Sequence, residues 1–473
     1  MRRFDILVIG GGVAGLTAAT RAAQFGLSVA LVERGRLGGT ALWTGALPLQ
    51  ALLKCADLAH SVRAASRFGI QSKNGGINVA AVLDRVRTVV RAIQPHRSPE
   101  YIRSLGIEII HGEASFLDRT TVEVGGEAIQ ARRIILATGA RPAETPIDGL
   151  AETGYLTYEG LWEITDLPRR LAVLGGTPIG VQMAQAMARL GSQVTLLEAG
   201  DRILEAEDAE LADRLAESLR AEGLDVRTKA EVVQVLRRGN SKVVSIRQES
   251  GPTEIETDEL VLAVDRVPNI QGLNLGATEI ETTRTGVVVD RHLRTTQRRV
   301  WAVGDCNGQL SSARAAAEQA RVAVSDALFP WGARYDPKSS WAIFMDPALA
   351  HVGMTEEQAR RAFGDGIRVH RHPFSEVDGA VCRAETAGLV KLVADPRGRL
   401  VGGHILGAGA GEILPALAQA VASRNRPDMT NGQFYAYPST SESLLAALRQ
   451  VREDGVNGGF SGRVLKRIVR WYV

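Results

Sequence analysis

The stretch Asp5 to Glu33, DILVIGGGVAGLTAATRAAQFGLSVALVE, restricts the fold more than any other part of the chain. Ile6, Leu7, Val8 and Ile9 make an apolar run of strand length. Gly10, Gly12 and Gly15 follow in G-x-G-x-x-G spacing. Ala14, Ala18, Ala19 and Ala22 then recur as on a helix packed close to a sheet, and Ser28 to Val32 predicts a second strand closed by Glu33. Strand, glycine turn, helix, strand and terminal acid together form a dinucleotide-binding unit. Gly10 permits the tight turn, Gly12 lets backbone approach a pyrophosphate, and Gly15 lets the helix lie against the strand. The helix N-terminus offers free N–H groups and partial positive charge to phosphates. Glu33 is placed to accept hydrogen bonds from a ribose.

At 473 residues the chain is too long for one ordinary core, so two or three domains are expected. A formal charge of +3 is too small to suggest nucleic acid as a partner. Three scattered cysteines, Cys55, Cys306 and Cys382, exclude a disulfide framework and point to a reducing, cytoplasmic compartment. The opening MRRFDILVIGGG runs from a short apolar segment straight into the glycine turn, which reads as a strand and not a signal peptide.

Past Glu33, Gly38 and Gly39 predict a loop beside a bound cofactor, and a helical pattern begins at Pro48. Val79 to Gln94 reads as a second helix, followed by strands at Ile107 to His111, Thr121 to Val124 and Arg133 to Ala137. The last runs into ATGARP (Ala137 to Pro142). Leu171 to Glu198 then repeats the opening pattern, ending in the acid Glu198. Here the turn reads Gly175, Thr177, Gly180, with Thr in the middle position, where a side chain crowds a pyrophosphate. Residues 203 to 223 predict a charged amphipathic helix, and strands alternate from Val226 to Val264. The segment RRVWAVGDCNG ends a strand in Gly304-Asp305, where Asp305 serves either a cofactor or the cap of the helix Ala313 to Phe329. Beyond Asp336 the pattern becomes antiparallel α+β. In the tail, Val464, Leu465, Ile468, Val469 and Tyr472 share one helical face and Arg463, Lys466, Arg467 and Arg470 the other. Such an end suits a peripheral membrane contact, or docking on the protein itself or a partner subunit.

With two such units, ATGARP, AVDRVPN, WAVGDC and the C-terminal α+β segment, the chain resembles the pyridine nucleotide–disulfide oxidoreductases: glutathione reductase, dihydrolipoamide dehydrogenase and mercuric reductase. The resemblance runs from Asp5 to about Leu448 and is nearest to the mercuric reductase-like branch. It implies an α/β fold with two Rossmann-like domains for FAD and NAD(P), plus a C-terminal α+β dimerisation domain. The expected division is 1–150 and 271–340 for FAD, 151–270 for NAD(P), 341–450 for dimerisation and 451–473 for the basic tail. Carried over by motif, FAD contacts Gly10, Gly12, Gly15, Glu33, Gly39, Thr40, Ala137, Thr138, Gly139, Gly304 and Asp305. NADH occupies Gly175, Gly180 and Glu198. The acid at 198 accepts ribose hydroxyls and repels a 2′-phosphate, so NADPH is disfavoured. The partners expected are a small-molecule electron acceptor and a second copy of the chain, forming a homodimer.

The departures from the family decide the chemistry. Its redox disulfide lies in a segment like GGTCLNVGCIPSKALL; here GGTALWTGALPLQALL puts Ala41 and Ala46 at both cysteine positions. The family Lys of that segment is Gln50, and the Glu with which it pairs in relatives is Gln182. Losing both ends of an ion pair avoids an orphaned buried charge. Near the C-terminus YAYPSTSE puts Tyr437 where the disulfide enzymes carry a His acid/base, with Glu442 kept. Thiol relay needs a thiolate beside the flavin and a base of matched pKa. None of the three cysteines matches a relay position, so the chemistry of dihydrolipoamide dehydrogenase or mercuric reductase is not expected. An FAD-dependent oxidoreductase passing electrons from NADH (or NADPH) directly to a quinone-like acceptor remains, with Trp43 as an aromatic surface and Tyr437 as hydrogen-bond or proton donor. The alternatives are a transhydrogenase-like hydride shuttle between nicotinamides and a non-enzymatic flavin-binding dimer. No metal site is expected.

Overall fold

The computed structural model describes all residues except 72–75, 310–311, 330, 337–339, 424–434 and 459–473. The amphipathic tail residues 463–472 therefore lie outside the described residues. Backbone contacts divide the chain into two compact units: Met1–Gly175, Ala186–Val194 and Val232–Pro337 form the first; Gly176–Gln185, Thr195–Glu231 and Lys338–Val473 form the second.

In the first unit the chain runs β1 (Arg2–Ile9), α1 (Val13–Ala23), β2 (Val29–Glu33), α2 (Gly39–Trp43), α3 (Ala46–Ala64), α4 (Val79–Ile93), α5 (Pro99–Ser104), β3 (Ile107–His111), β4 (Ala114–Phe116), β5 (Thr121–Val124) and β6 (Glu127–Leu136). The main sheet has the order β3-β2-β1-β6-β5-β4. The first four of these run parallel, and β4 and β5 are antiparallel. The ten residues of β6 pair with β1 along one edge and divide the other: the start pairs with β5, and Ile134 to Leu136 pair in parallel with Val300–Ala302. Alternate residues of β1 enter different cores: Ile6 and Val8 pack with α1 and the helix Ala313–Leu328, and Leu7 and Ile9 with Val122, Ile129 and Leu273. Burial on both faces is why this strand reads as an unbroken apolar run. The strands Arg170–Leu174, Glu259–Leu262 and Leu156–Thr157 pair in parallel beyond this sheet, and Glu231–Arg238, Ser241–Gln248 and Gly251–Thr257 form an antiparallel meander.

The second unit holds the strand pair Thr195–Leu197 and Asp225–Arg227, the helix Ala209–Ala221, and a five-stranded antiparallel sheet. That sheet runs in the order Ser340–Ile343, Leu349–Gly353, Leu400–Leu406, Leu389–Ala394, Arg368–Pro373. Val390, Leu392, Ile405, Ile413, Leu417 and Leu444 build its core with the helices Ala410–Ala422 and Glu442–Gly458. Lys391 faces away from that core and is 3% exposed. It bonds Asp208 at 2.7 Å, Glu356 at 2.8 Å and Glu210 at 3.1 Å.

Several boundaries differ from expectation, among them the start of β6, at Glu127 and not Arg133. Gly39 opens the short helix α2 instead of sitting in a loop, and α3 starts at Ala46, two residues before Pro48. The helix expected from 203 begins only at Ala209, because Leu204 sits at a φ of 53°, outside helical geometry.

Candidate functional site

Register brings the expected site residues of the first unit to one edge. Ile9 lies opposite Leu136, and Leu136 opposite Ala302, so Gly10, Ala137, Thr138, Gly304 and Asp305 all follow strand ends on the C-terminal side. That side is where parallel α/β sheets bind ligands. Gly10 has φ 107°, and a Cβ there would lie 2.3 Å from the Ala137 carbonyl oxygen. A Cβ on Gly15 would lie 1.7 Å from the Gly10 oxygen, so α1 crosses the turn at a distance only glycine allows.

Gly12 is the N-cap of α1, and no side chain caps that helix. A Cβ at Gly12 would meet only the Cα of Gly39, at 3.9 Å. Gly39, at φ 58°, faces back; its own Cβ would come within 2.8 Å of the Gly12 Cα. Two glycines thus bound a slot in front of uncapped helical N–H groups. Those residues fit a dinucleotide pyrophosphate. Thr40 holds the following bend, its carbonyl accepting from Gly45 N at 2.6 Å and Thr44 N at 3.0 Å. Glu33 accepts from Gly11 N at 2.5 Å and Gly35 N at 2.7 Å. Those two bonds fix its carboxylate at the mouth of the turn and leave each oxygen a further lone pair.

Asp305 is not the cap of the helix Ala313–Leu328, whose N-cap is Ser312. It pairs instead with Arg266 of the AVDRVPN segment. Arg266 also donates to Tyr158 Oη at 3.0 Å and to the Ala140 carbonyl at 2.8 Å. Burial works against the guanidinium charge, but Asp305 and Tyr158 outweigh it and hold the Arg266 pKa above its ordinary value. Burial raises the Tyr158 pKa. Gln319 fixes the turn from below, its carbonyl accepting from Gly304 N at 2.7 Å and from Asn307 Nδ2 at 2.9 Å. Sequence reading missed Arg266, Tyr158 and Gln319, although AVDRVPN was legible as a motif. Asn269 of that motif donates to the Thr138 carbonyl at 3.1 Å, and its N–H donates to the Gly139 carbonyl at 2.9 Å.

Ala41 lies in α2, half-buried, and Ala46 opens α3, exposed. Trp43 donates from Nε1 to the Leu37 carbonyl at 2.8 Å, and the Arg36 guanidinium lies 5.2 Å from its ring centroid. Gln50 is half-buried in α3. Cys55 is a helical residue whose thiol pKa is raised by burial. Cys306 is fully buried, contacts the Leu136 and Val303 carbonyls, and burial pushes its pKa up to about 11. Neither is poised as a thiolate at neutral pH.

The second glycine turn has the same design with one change. Gly175, at φ 111°, abuts the Ala263 carbonyl as Gly10 abuts Ala137. Glu198 accepts from Gly176 N at 2.6 Å and Gly200 N at 2.7 Å, reproducing Glu33. Thr177 stands where Gly12 stands, its carbonyl accepting from Val181 N at 2.9 Å. Its hydroxyl also accepts from Gly180 N at 3.3 Å. Thr177 therefore caps its helix, whereas Gly12 leaves α1 open. Gln182 is buried and donates to the Phe344 carbonyl at 2.7 Å.

In the second unit Tyr437 is 73% exposed and donates to Asp378 at 3.0 Å. That carboxylate raises the Tyr437 pKa. Glu442 accepts from Ser439 N at 3.2 Å. Cys382 is exposed in the helix Asp378–Arg383. Among the described residues no group of His, Cys, Asp and Glu is arranged to hold a metal ion, and no helix is long and apolar enough to cross a membrane.

Residues 4–320 match the family model of pyridine nucleotide-disulphide oxidoreductases, and residues 339–448 match the dimerisation domain of the same family. A mercuric reductase from Streptomyces lividans is 33% identical over 463 residues, covering 95% of this chain and 97% of that protein. A dihydrolipoyl dehydrogenase from Bacillus subtilis (strain 168) is 31% identical over 456 residues, covering 94% and 97%. Among solved structures, the HOCl-induced flavoprotein disulfide reductase RclA from Escherichia coli superposes with a TM-score of 0.83 at 29% identity, covering 94% of this chain and 99% of that one. By its sequence over nearly its whole length, the chain belongs to the pyridine nucleotide-disulphide oxidoreductase family, whose members are FAD-dependent oxidoreductases using a nicotinamide nucleotide.

Proposed function

We propose that the chain is an FAD-dependent oxidoreductase passing two electrons from NADH directly to a quinone-like small acceptor. The carrying observation is the pair Ala41 and Ala46: the segment beside the Gly12–Gly39 slot holds no sulfur. In balance, NADH, a quinone and a proton become NAD⁺ and a hydroquinone. FAD supplies a two-electron carrier between them. In this reading 1–150 and 271–340 form the FAD domain, 151–270 the NAD(P) domain and 341–450 the dimerisation domain.

The N-terminus of α1, with Gly10, Gly12, Gly15, Gly39 and Thr40, receives the FAD pyrophosphate; Glu33 takes ribose hydroxyls. Ala137, Thr138, Gly139 and Gly304 offer backbone at the strand ends, and Asp305, held by Arg266, takes a ribityl hydroxyl. Gly175, Gly180 and Glu198 bind NADH and exclude a 2′-phosphate by charge. Gln50 and Gln182 replace the Lys and the Glu that form an ion pair in relatives. Trp43 offers its ring to the acceptor. Tyr437 from the partner subunit of a homodimer, with Glu442 behind it, hydrogen-bonds the acceptor oxygen. Its raised pKa makes it a weak acid, so it orients more than it protonates. We assign the chain to the cytoplasm, with the tail 451–473 docking on the protein itself or a partner subunit, or else making a peripheral membrane contact.

Anaerobic mixing of the flavin-loaded protein with NADH, followed by flavin absorbance, tests the reading. Fast bleaching, then reoxidation by a quinone such as menadione faster than by thio-NAD⁺, is the expected result. Reoxidation by thio-NAD⁺ alone means a hydride shuttle. No bleaching by NADH or NADPH favours the non-enzymatic dimer, a reading to which the capping hydroxyl of Thr177 lends weight.

A further inference from the structure

The first unit carries a cavity of about 660 Å³ between α1, the 94–102 segment and the helix Ala313–Leu328. None of the residues assigned above to FAD or NADH lines it. Its polar side carries the guanidinium groups of Arg21, Arg97 and Arg321, with the His96 ring beside them, and no carboxylate lines it. Its apolar side includes Phe25 and Phe329, which meet edge-to-face at 5.6 Å.

Arg97 separates this cavity from an ordinary solvated basic surface. Arg321 pairs with Glu318 at 3.0 Å. Arg21 donates to Gln24 at 3.2 Å and lies over the Phe25 ring at 5.0 Å. Arg97 is half-buried, and its Nη1 is shut off from solvent with no hydrogen-bond partner. It makes no ion pair among the described residues. A buried guanidinium N–H without an acceptor is costly, and proteins rarely leave one so. An anionic group bound in the cavity would give the Arg97 guanidinium the counter-charge that no described residue supplies. A planar carboxylate or sulfonate matches the guanidinium fork better than a point charge does. The phenylalanine pair adds nothing for a bare anion but favours a flat apolar ring. The volume falls within the usual range for small-molecule sites.

We propose that this cavity is a binding site for a planar aromatic anion, a carboxylate or sulfonate on a one- or two-ring system, with Arg97 taking the charged group. The site does not depend on the acceptor reading, because binding requires no turnover.

The test is calorimetric titration of the flavin-loaded protein with 2-naphthoate, with neutral 2-naphthalenemethanol, and with inorganic phosphate. Naphthoate is expected to bind at least about tenfold more tightly than either control, since a charge-assisted bond and ring burial both contribute. Arg97→Gln is expected to weaken naphthoate about tenfold or more while melting at or above the wild-type temperature, because it removes an unpaired cation. Arg97→Lys keeps the charge without the fork and is expected to weaken naphthoate less than Arg97→Gln. Phe25→Ala is expected to weaken naphthoate and leave phosphate unchanged. Equal naphthoate affinity in wild type, Arg97→Gln and Arg97→Lys overturns the proposal. So does phosphate binding as tightly as naphthoate, or no binding of naphthoate at about millimolar concentration.

Discussion

Deleting the guanidinium of Arg266 would orphan Asp305 at the sheet edge where FAD is expected. The two side chains are 17% and 18% exposed, and Arg266 also serves Tyr158 and the Ala140 carbonyl. Breaking a buried ion pair from one side costs about 3–5 kcal/mol, because the other charge stays behind uncompensated. About a fifth of each side chain still meets solvent, so the low end applies, about 3 kcal/mol. Arg266→Met keeps the apolar stem and isolates the charge. For a unit of this size each kcal/mol lowers the melting temperature by about 2–4 °C, which predicts a fall of about 6–12 °C. The assay is thermal unfolding of the flavin-loaded protein, followed by circular dichroism and by release of FAD fluorescence. The control is Arg266→Met with Asp305→Asn, which removes the orphan. Coupling between contacting partners predicts that this double variant recovers about 2 kcal/mol of the loss. Its flavin content should stay below wild type, since the carboxylate proposed to take a ribityl hydroxyl is also gone. An Arg266→Met protein melting within about 2 °C of wild type would refute the reasoning, as would strictly additive losses in the double variant.

Thr177→Gly frees the Gly180 N–H, so NADH should bind about fivefold more tightly in titrations monitored by nucleotide fluorescence, as one more hydrogen bond to phosphate permits. Weaker binding would mean that the hydroxyl itself serves the nucleotide. Lys391→Met leaves Asp208, at 2% exposure, without its cation, and chemical denaturation should show a loss of about 3–5 kcal/mol. Burial pushes the neighbouring Glu356 carboxyl up, yet Lys391 and Arg360 prevail and hold it at about 2. A depressed folded-state pKa stabilises above the unfolded value and is lost as the group protonates, so this contribution fades as pH falls from about 4.5 towards 2. Glu356→Gln should flatten the stability–pH curve in that window, and an unchanged slope would refute the assignment. Tyr437→Phe should lower quinone turnover by less than about tenfold and leave flavin reduction by NADH unchanged, because its hydroxyl is tied to Asp378 and is a poor acid. Flotation of the flavin-loaded protein with anionic vesicles, with and without residues 460–473, checks the tail; equal flotation of both would end the membrane idea.

What the amino-acid pattern revealed and what it hid follow from the range of the interactions. Gly10, Gly12, Gly15 and Glu33 act within one strand–helix–strand unit, so spacing alone places them. The repeat at Gly175, Thr177, Gly180 and Glu198 then has the same backbone geometry for the same local reason. Thr177 was legible as an obstacle but not as a cap, because the hydroxyl's choice between crowding a ligand and bonding Gly180 is made by its rotamer. The helix read from 203 failed locally as well: apolar periodicity continues through Leu204, but the backbone turns left-handed there. Arg266 and Asp305 lie 39 positions apart and meet only because their two strand ends reach the same edge. Asp305 beside a glycine, taken alone, therefore reads more readily as a helix cap, and the fold gives that position to Ser312. The same holds for Tyr437 and Asp378, which share a surface that no periodicity encodes. Replacement of the disulfide, by contrast, is purely a matter of residue identity. Ala41 and Ala46 lie on α2 and α3 of a chain that keeps the family's fold and both glycine turns, so nothing in the backbone pattern marks the change, and the function proposed above rests on those two identities alone.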